Sequence, residues 1–370
     1  MNERKNEAKW LEKYQRWQIN VQRDGKRKTF YSKTPGTKGK IDAEKQADKW
    51  LKGGFENPTM RFSKLYELFL AEKELLKGKS SGDLRNHQNM GKSFLLPALS
   101  TKKVENITLG DWQNIINTAF QKSQAKGHPL SVKSLKNIRA SMTAVYAYAR
   151  RHNIPLVKPE YLQIPKSAPV GQRKILTPED IKKVFDDNIE PFWYIHYVRF
   201  ILITGLRPGE AAGIRTDEDI KDNILTIKRS INSLNEITDG KNANALRSQY
   251  LPEIAQKIIA DQRKMLRQNS IISPWLFPNP QGNISSPHYI YKTWVQFRDN
   301  NHITSCSLYE LRHTMVSITK NNIPSHLLKM VLGHTEAMDT YGVYAHEFAG
   351  DLQNVANATQ NMFSQILEQK

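Results

Sequence analysis

The sequence predicts a mainly α-helical protein with small β-sheets, an α+β chain in three parts. Three observations predict it. Residues 17–32 alternate apolar and polar side chains around a turn signal, apolar residues recur every three or four positions through most of 59–165, and the remainder mixes both periods beyond a linker rich in proline, glycine and serine. At 370 residues the chain has room for more than one core, since domains commonly run to roughly 100 to 200 residues.

The first part is expected to span 1–58. WQINVQ and RKTFYS alternate on either side of Arg23-Asp24-Gly25-Lys26, which reads as a hairpin, and AEKQADKWLK follows as a helix. Gly53-Gly54 and Asn57-Pro58 punctuate its end. Its exposed residues are largely basic, with Arg23, Lys26, Arg27 and Lys28 on the hairpin itself. Lysine-rich strands can be solubilising edges; the charge of the whole chain favours contact with nucleic acid instead.

The second part, 59–165, reads as a helical bundle. FSKLYELFLAEKELL, DWQNIINTAFQKSQ and SVKSLKNIRASMTAVYAYARRHN carry amphipathic spacing, with Thr108 or Asp111 placed to cap the second. Lys133, Lys136 and Arg139 give the third a basic face, whereas Tyr66, Phe69, Tyr146 and Tyr148 sit at core spacing. Nothing in this part looks catalytic.

Residues 166–175 form the linker, and Thr177 caps a new helix that has Pro178 in its first turn. The third part, 176–370, is mixed α/β. WYIHYVRFILITGLRPGEAAGI reads as an apolar helix, a turn at Gly205 and a second helix opening at Pro208. DNILTIKRSIN and the segment around SQYLPE alternate like short strands joined through TDGKNANA, and short apolar pieces, WLFPNPQG and HYIYKTWVQFRDNN, follow. Helical runs then carry SLYELRHTMVSITKNNIPSHLLKMVLGHTEAMDTYGVYAH. The tail, DLQNVANATQNMFSQILEQK, is expected to be an amphipathic helix packed on its own or a neighbouring subunit.

A formal charge of +19 opposes compaction unless a polyanion normally lies against it, which makes nucleic acid the leading partner and a membrane surface the weaker one. No apolar run approaches the roughly 18 to 20 residues of a spanning helix. The N-terminal stretch is too polar for a secretory signal, so a soluble, cytoplasmic protein is expected. The single cysteine, Cys306, excludes an internal disulfide and a multi-cysteine zinc module.

Two arginines stand out. Arg207, in TGLRPGE, lies at the mouth of a helix, where backbone amides and the positive dipole end favour an anion. Arg312, in LYELRHT, falls on the apolar line of Leu308, Leu311 and Val316, a position that is costly for a charge without partners. Two such forks from distant segments suit a phosphodiester, binding its non-bridging oxygens and the added charge of a pentacoordinate transition state. His313, His334 and His346 match no usual zinc spacing, and His313 would point away from the arginine beside it. Cys306 reads as a small apolar filler.

TGLRPGE, LYELRHT, LGHT and YGVYAH in that order, preceded by a helical part and a basic N-terminal module, closely resemble the tyrosine recombinases, in particular integrases of the lambda type from phages and conjugative elements. The resemblance covers essentially the whole chain. It implies that Arg207 and Arg312 bind the phosphate, with Glu210 in the supporting acidic position. It also implies that His334 assists, that Lys241 is the general acid and that Tyr344 is the nucleophile. The reaction it implies needs no cofactor and no metal: Tyr344 forms a 3′-phosphotyrosyl bond that conserves the energy for rejoining. Implied partners are double-stranded DNA with core-type and arm-type sites, three further copies in a homo-tetramer, an excisionase and a host DNA-bending protein.

Two positions depart from the family pattern. Tyr309 stands where a histidine is usual, and its hydroxyl can donate to phosphate but accepts a proton poorly near neutral pH. The interval from His334 to Tyr344 is one residue longer than the commonest one, which leaves Tyr341 as a rival nucleophile. A topoisomerase-like relaxing enzyme and a catalytically disabled DNA-binding protein are the alternative readings.

Overall fold

The computed structural model describes residues 6–23, 26–51, 60–78, 81–238, 247–333 and 350–368. The chain divides into two compact units, Met1–Gly171 and Gln172–Lys370. Among the described residues no helix is long and apolar enough to cross a membrane.

Within the first unit, β1 (Lys9–Leu11), β2 (Arg16–Arg23) and β3 (Lys26–Ser32) form an antiparallel sheet in that order, backed by α1 (Gly36–Leu51). The pairing sets Ile19 opposite Phe30, Val21 opposite Lys28 and Gln22 opposite Arg27. Facing residues share one side of a sheet and neighbours along a strand alternate. Ile19, Val21 and Phe30 therefore face α1, where Ala43, Ala47, Trp50 and Leu51 are buried. Lys28 lies on that same side, its ammonium over the rings of Phe30 and Trp50; Arg27 lies on the other and is exposed. The side chains of Arg23 and Lys26 are outside the described residues. β1 went unread in the sequence because three residues are too few for alternation to stand out.

A second core unites α2 (Phe62–Lys77), α3 (Gly82–Met90), a π-helical turn (Gly91–Leu95), α4 (Leu96–Leu99), α5 (Leu109–Ala125) and α6 (Val132–Arg151). Thr108 rather than Asp111 caps α5, the two exchanging the hydrogen bonds of a capping box. Lys133 and Lys136 are exposed and Arg139 partly so, one helical turn apart, while Leu135, Ile138 and Met142 enter the core.

The second unit begins with α7 (Pro178–Phe185), capped by Thr177 in a capping box with Asp180. There follow α8 (Ile195–Thr204), α9 (Pro208–Ala212), α10 (Thr216–Asp219), β4 (Ile220–Lys221), β5 (Ile224–Ile227), β6 (Ser230–Ile231), β7 (Ile237–Thr238) and β8 (Arg247–Tyr250). The chain continues through α11 (Glu253–Gln268), α12 (Pro287–Asn300), α13 (Leu308–Thr319), α14 (Ser325–Leu332) and α15 (Asp351–Glu368). Strands β4, β5 and β8 form one antiparallel sheet in that order, β6 and β7 a second. Every residue of α8 except His196 is buried. That makes α8 the axis of the unit, packed against α11 and α13.

Two helices differ from the sequence reading, which assigned nothing to 253–268 and only short apolar pieces to 288–301. In α11 the buried line is Ala255, Ile258, Ile259, Gln262 and Leu266, so one small and one polar residue dilute the apolar signal. In α12, read only as a short apolar piece, Ser286 caps the helix and Ile290, Trp294 and Phe297 follow at helical spacing. The tail helix α15 packs on its own unit. Val355, Ala356, Thr359 and Phe363 are buried, and the Gln360 side chain accepts the Ile254 backbone N–H at 2.9 Å.

Candidate active site

The site begins where α8 stops. Gly205 closes α8 in the left-handed conformation at φ 64°, and a Cβ there would come within 2.9 Å of Leu332 and 3.1 Å of the Met315 sulfur. Glycine is thus required both for the turn and for the close approach of α14. Two residues later Arg207 is the N-cap of α9. Its backbone N–H donates to Glu210 Oε2 at 2.9 Å and its Nη1 to Glu210 Oε1 at 2.6 Å.

Arg312 comes from α13 and is only 1% exposed. The partners that its apolar setting demands are backbone carbonyls: Nη1 donates to Gly205 O and Nη2 to Leu332 O, both at 2.7 Å. Burial, with the charge of Arg207 next, pushes this guanidinium down to about 10, so it remains a cation at neutral pH.

The last turn of α14 gathers the arginines. Val331 O accepts from Arg247 Nε at 2.7 Å, Leu332 O from Arg312 Nη2 at 2.7 Å, and Gly333 O from Arg207 Nη2 at 2.9 Å. These are carbonyls that a helix leaves without internal donors, at the negative end of its dipole, where cations are favoured. Gly333 is itself left-handed at φ 62° and closes α14 through its own N–H. Three segments far apart in sequence therefore deliver three guanidinium groups to consecutive residues.

Among the described residues Glu210 is the carboxylate that hydrogen-bonds this cluster, and it is 3% exposed. Besides Arg207 it accepts from Arg247, Nη1 to Oε1 at 3.1 Å and Nη2 to Oε2 at 2.8 Å. Burial works against its ionisation, but Arg247 and then Arg207 outweigh burial and hold the carboxyl below its ordinary range. Among the described residues, three arginines against this one glutamate leave an excess of two positive charges. It can attract and hold an anion such as a phosphodiester.

Of the residues expected from sequence, Arg207, Glu210 and Arg312 are brought together. Tyr309 lies one turn before Arg312 on α13, 45% exposed, with its ring edge against His313 at 5.1 Å. His313 is half-buried, and burial followed by the charges of Arg173 and Arg312 lowers its pKa. Lys241, His334 and Tyr344 lie outside the described residues, as do Tyr341 and His346. Cys306 is buried, and burial pushes its thiol up to about 12. Among the described residues no group of histidine, cysteine, aspartate and glutamate could hold a metal ion.

Arg247 was not singled out in the sequence. The signal was strand parity: Arg247, Gln249 and Leu251 alternate, and the latter two are buried.

Comparison with known proteins finds similarity over the unit that carries this cluster. Residues 174–350 match the family model described as the phage integrase family. The fold is shared with the Tn1549 transposon integrase in complex with transposon right end DNA, with a TM-score of 0.61 at 17% identity over 80% of this chain and 98% of that one. A lambda integrase tetramer bound to a Holliday junction gives 0.57 at 15% identity over 90% and 96%. A lambda integrase dimer bound to a COC′ core site gives 0.57 at 15% over 94% and 99%. No curated protein matches the sequence.

Proposed function

We propose that this chain is a site-specific DNA recombinase of the integrase kind, cutting and rejoining DNA through a tyrosine. The observation that carries the reading is the meeting of Arg207 and Arg312 on adjacent carbonyls of one helix end, inside the segment that matches the integrase family. Each guanidinium has five N–H donors, so its bonds to the scaffold leave others for the non-bridging oxygens of a phosphodiester.

In this reading the Tyr344 oxygen attacks phosphorus while the bond from phosphorus to the 5′-oxygen breaks. The tyrosine's proton is released, Lys241 protonates the departing 5′-oxygen, and a 3′-phosphotyrosyl bond remains for the reverse attack by a partner strand. His334 and Tyr309 donate to the phosphate. The sheet of residues 1–58 takes arm-type sites through Arg23, Lys26 and Arg27; Lys28, expected to join them, is instead turned toward Phe30 and Trp50. The bundle of 59–165, with Lys133, Lys136 and Arg139, grips core sites together with 176–370. Four copies act on two duplexes, aided by an excisionase and a host DNA-bending protein.

The test uses labelled duplexes nicked near the cleavage position, tiled across the DNA flanking the encoding gene, so that cutting traps the covalent adduct. Wild type is expected to form an adduct stable in denaturant, Tyr344→Phe none, and Tyr341→Phe as much as wild type. An adduct with Tyr344→Phe but not with Tyr341→Phe would reverse the nucleophile; retention of DNA without any adduct would leave only a binding protein. Relaxation of a supercoiled plasmid without any strand exchange between two sites would favour a topoisomerase-like enzyme.

A further inference from the structure

We infer that Arg247 is a positioning residue of this site, a forked strut that fixes Glu210 against Arg207 and ties the start of β8 to the end of α14. The inference rests on the recombinase reading and adds to it a residue that does not touch the reacting atoms. Three observations carry it. The first is direction. Arg247 pairs with Ile227 across the β5 and β8 ladder, and because Ile227 is a core residue, the parity of the sheet turns Arg247 inward toward the same core.

The second is geometry. Both oxygens of Glu210 are shared, each taking one bond from Arg247 and one from Arg207, while Arg247 Nε is spent on Val331 O. A planar fork satisfies all three contacts at once; an ammonium on a flexible stem cannot. With its side chain 8% exposed, Arg247 works out of water, where a fixed charge acts more strongly on its neighbours.

The third is place in the chain. Arg247 follows residue 241 by six positions and its acceptor Val331 precedes residue 334 by three. The strut therefore anchors the chain next to two residues that the recombinase reading uses and that approach the phosphate from different segments. Glu210 transmits the same anchoring to Arg207. Loss of the fork should loosen all three together while leaving the many phosphate contacts of the DNA-binding parts intact.

Single-turnover cleavage of the nicked duplexes that trap wild type provides the test, with DNA affinity and the melting temperature measured alongside. Arg247→Lys is expected to keep affinity and melting temperature close to wild type and to cleave slower by on the order of tenfold or more. Arg247→Met is expected to cleave more slowly still and to show a new fall in rate on the acid side of the pH profile. With its stronger partner gone, Glu210 accepts a proton at a pH where the wild-type residue remains ionised. Combining Arg247→Met with Glu210→Gln should cost little beyond the slower single variant, since both break one unit. Should Arg247→Met fail to fold, Arg247→Lys alone decides.

Wild-type cleavage by Arg247→Lys, an unmoved acid limb in Arg247→Met, or fully additive losses in the double variant would each overturn the inference while leaving the recombinase intact. No adduct from wild type on any duplex would overturn the recombinase reading and this inference with it.

Discussion

Arg207 reaches across 126 positions of sequence to donate its Nη2 hydrogen to the carbonyl oxygen of Gly333 at 2.9 Å. The same guanidinium holds Glu210, so its plane is fixed before any DNA arrives. Arg207→Lys keeps the charge and loses the plane. Cleavage is expected to fall on the order of a hundredfold, with affinity for the duplex reduced by less than about threefold because many other phosphate contacts remain. Trapped-adduct kinetics and an equilibrium binding titration measure the two.

Arg312→Met should behave differently, because Arg312 is part of the core. It leaves Gly205 O and Leu332 O without their donors, at about 1 to 3 kcal/mol for each buried polar group left unpaired. The expected result is loss of cleavage together with a clear drop in stability of the second unit by denaturant titration. Arg207→Lys, at the partly exposed position, should show the first effect without the second.

Tyr309→Phe tests whether the hydroxyl reaches the phosphate. A cleavage rate lower by about tenfold, equivalent to one hydrogen bond of about 1.4 kcal/mol, is expected with melting unchanged, since the ring is exposed and its contact with His313 survives. Cleavage as fast as wild type would remove Tyr309 from the site.

Glu210 gives stability a pH dependence of known sign. Its carboxyl is held below the ordinary range, so its contribution is complete above the unfolded value of about 4.3. That contribution is lost as pH falls through the lower, folded value. Thermal melts from neutral pH downward should show this loss in wild type, while Glu210→Gln starts lower and changes less over the same acid window.

Cys306 should be inert while the chain is folded. Its thiol is buried and pushed up to about 12, and the thiolate is the reactive form. A thiol reagent at pH 8 is expected to leave the native protein unmodified and to label one site per chain once denaturant is added. Rapid native labelling would show that the core around Trp294 and Cys306 opens.

Much of this architecture was legible because local chemistry and tertiary placement agreed. The Thr177 cap, the apolar α8, the glycine turn at 205 and the hairpin of the first unit all announce themselves over a few residues. Arg312 was legible for the opposite reason, as a charge on an apolar line that only a folded site could justify. Arg247 was not, because its meaning depends on a strand four residues long and on acceptors 37 and 84 positions away. The helix at 253–268 was lost to dilution, its buried line including a glutamine and an alanine.

The end of α14 also bears on when the chain becomes competent during synthesis. Arg207, Arg247 and Arg312 all emerge from the ribosome before the carbonyls of Val331, Leu332 and Gly333 that hold them. A nascent or truncated polypeptide lacking that last turn keeps the bonds to Glu210 and Gly205 O but loses one hydrogen bond from each of the three guanidinium groups. The arginine cluster is therefore complete only once residues 331–333 have left the ribosome, however early its cations were made.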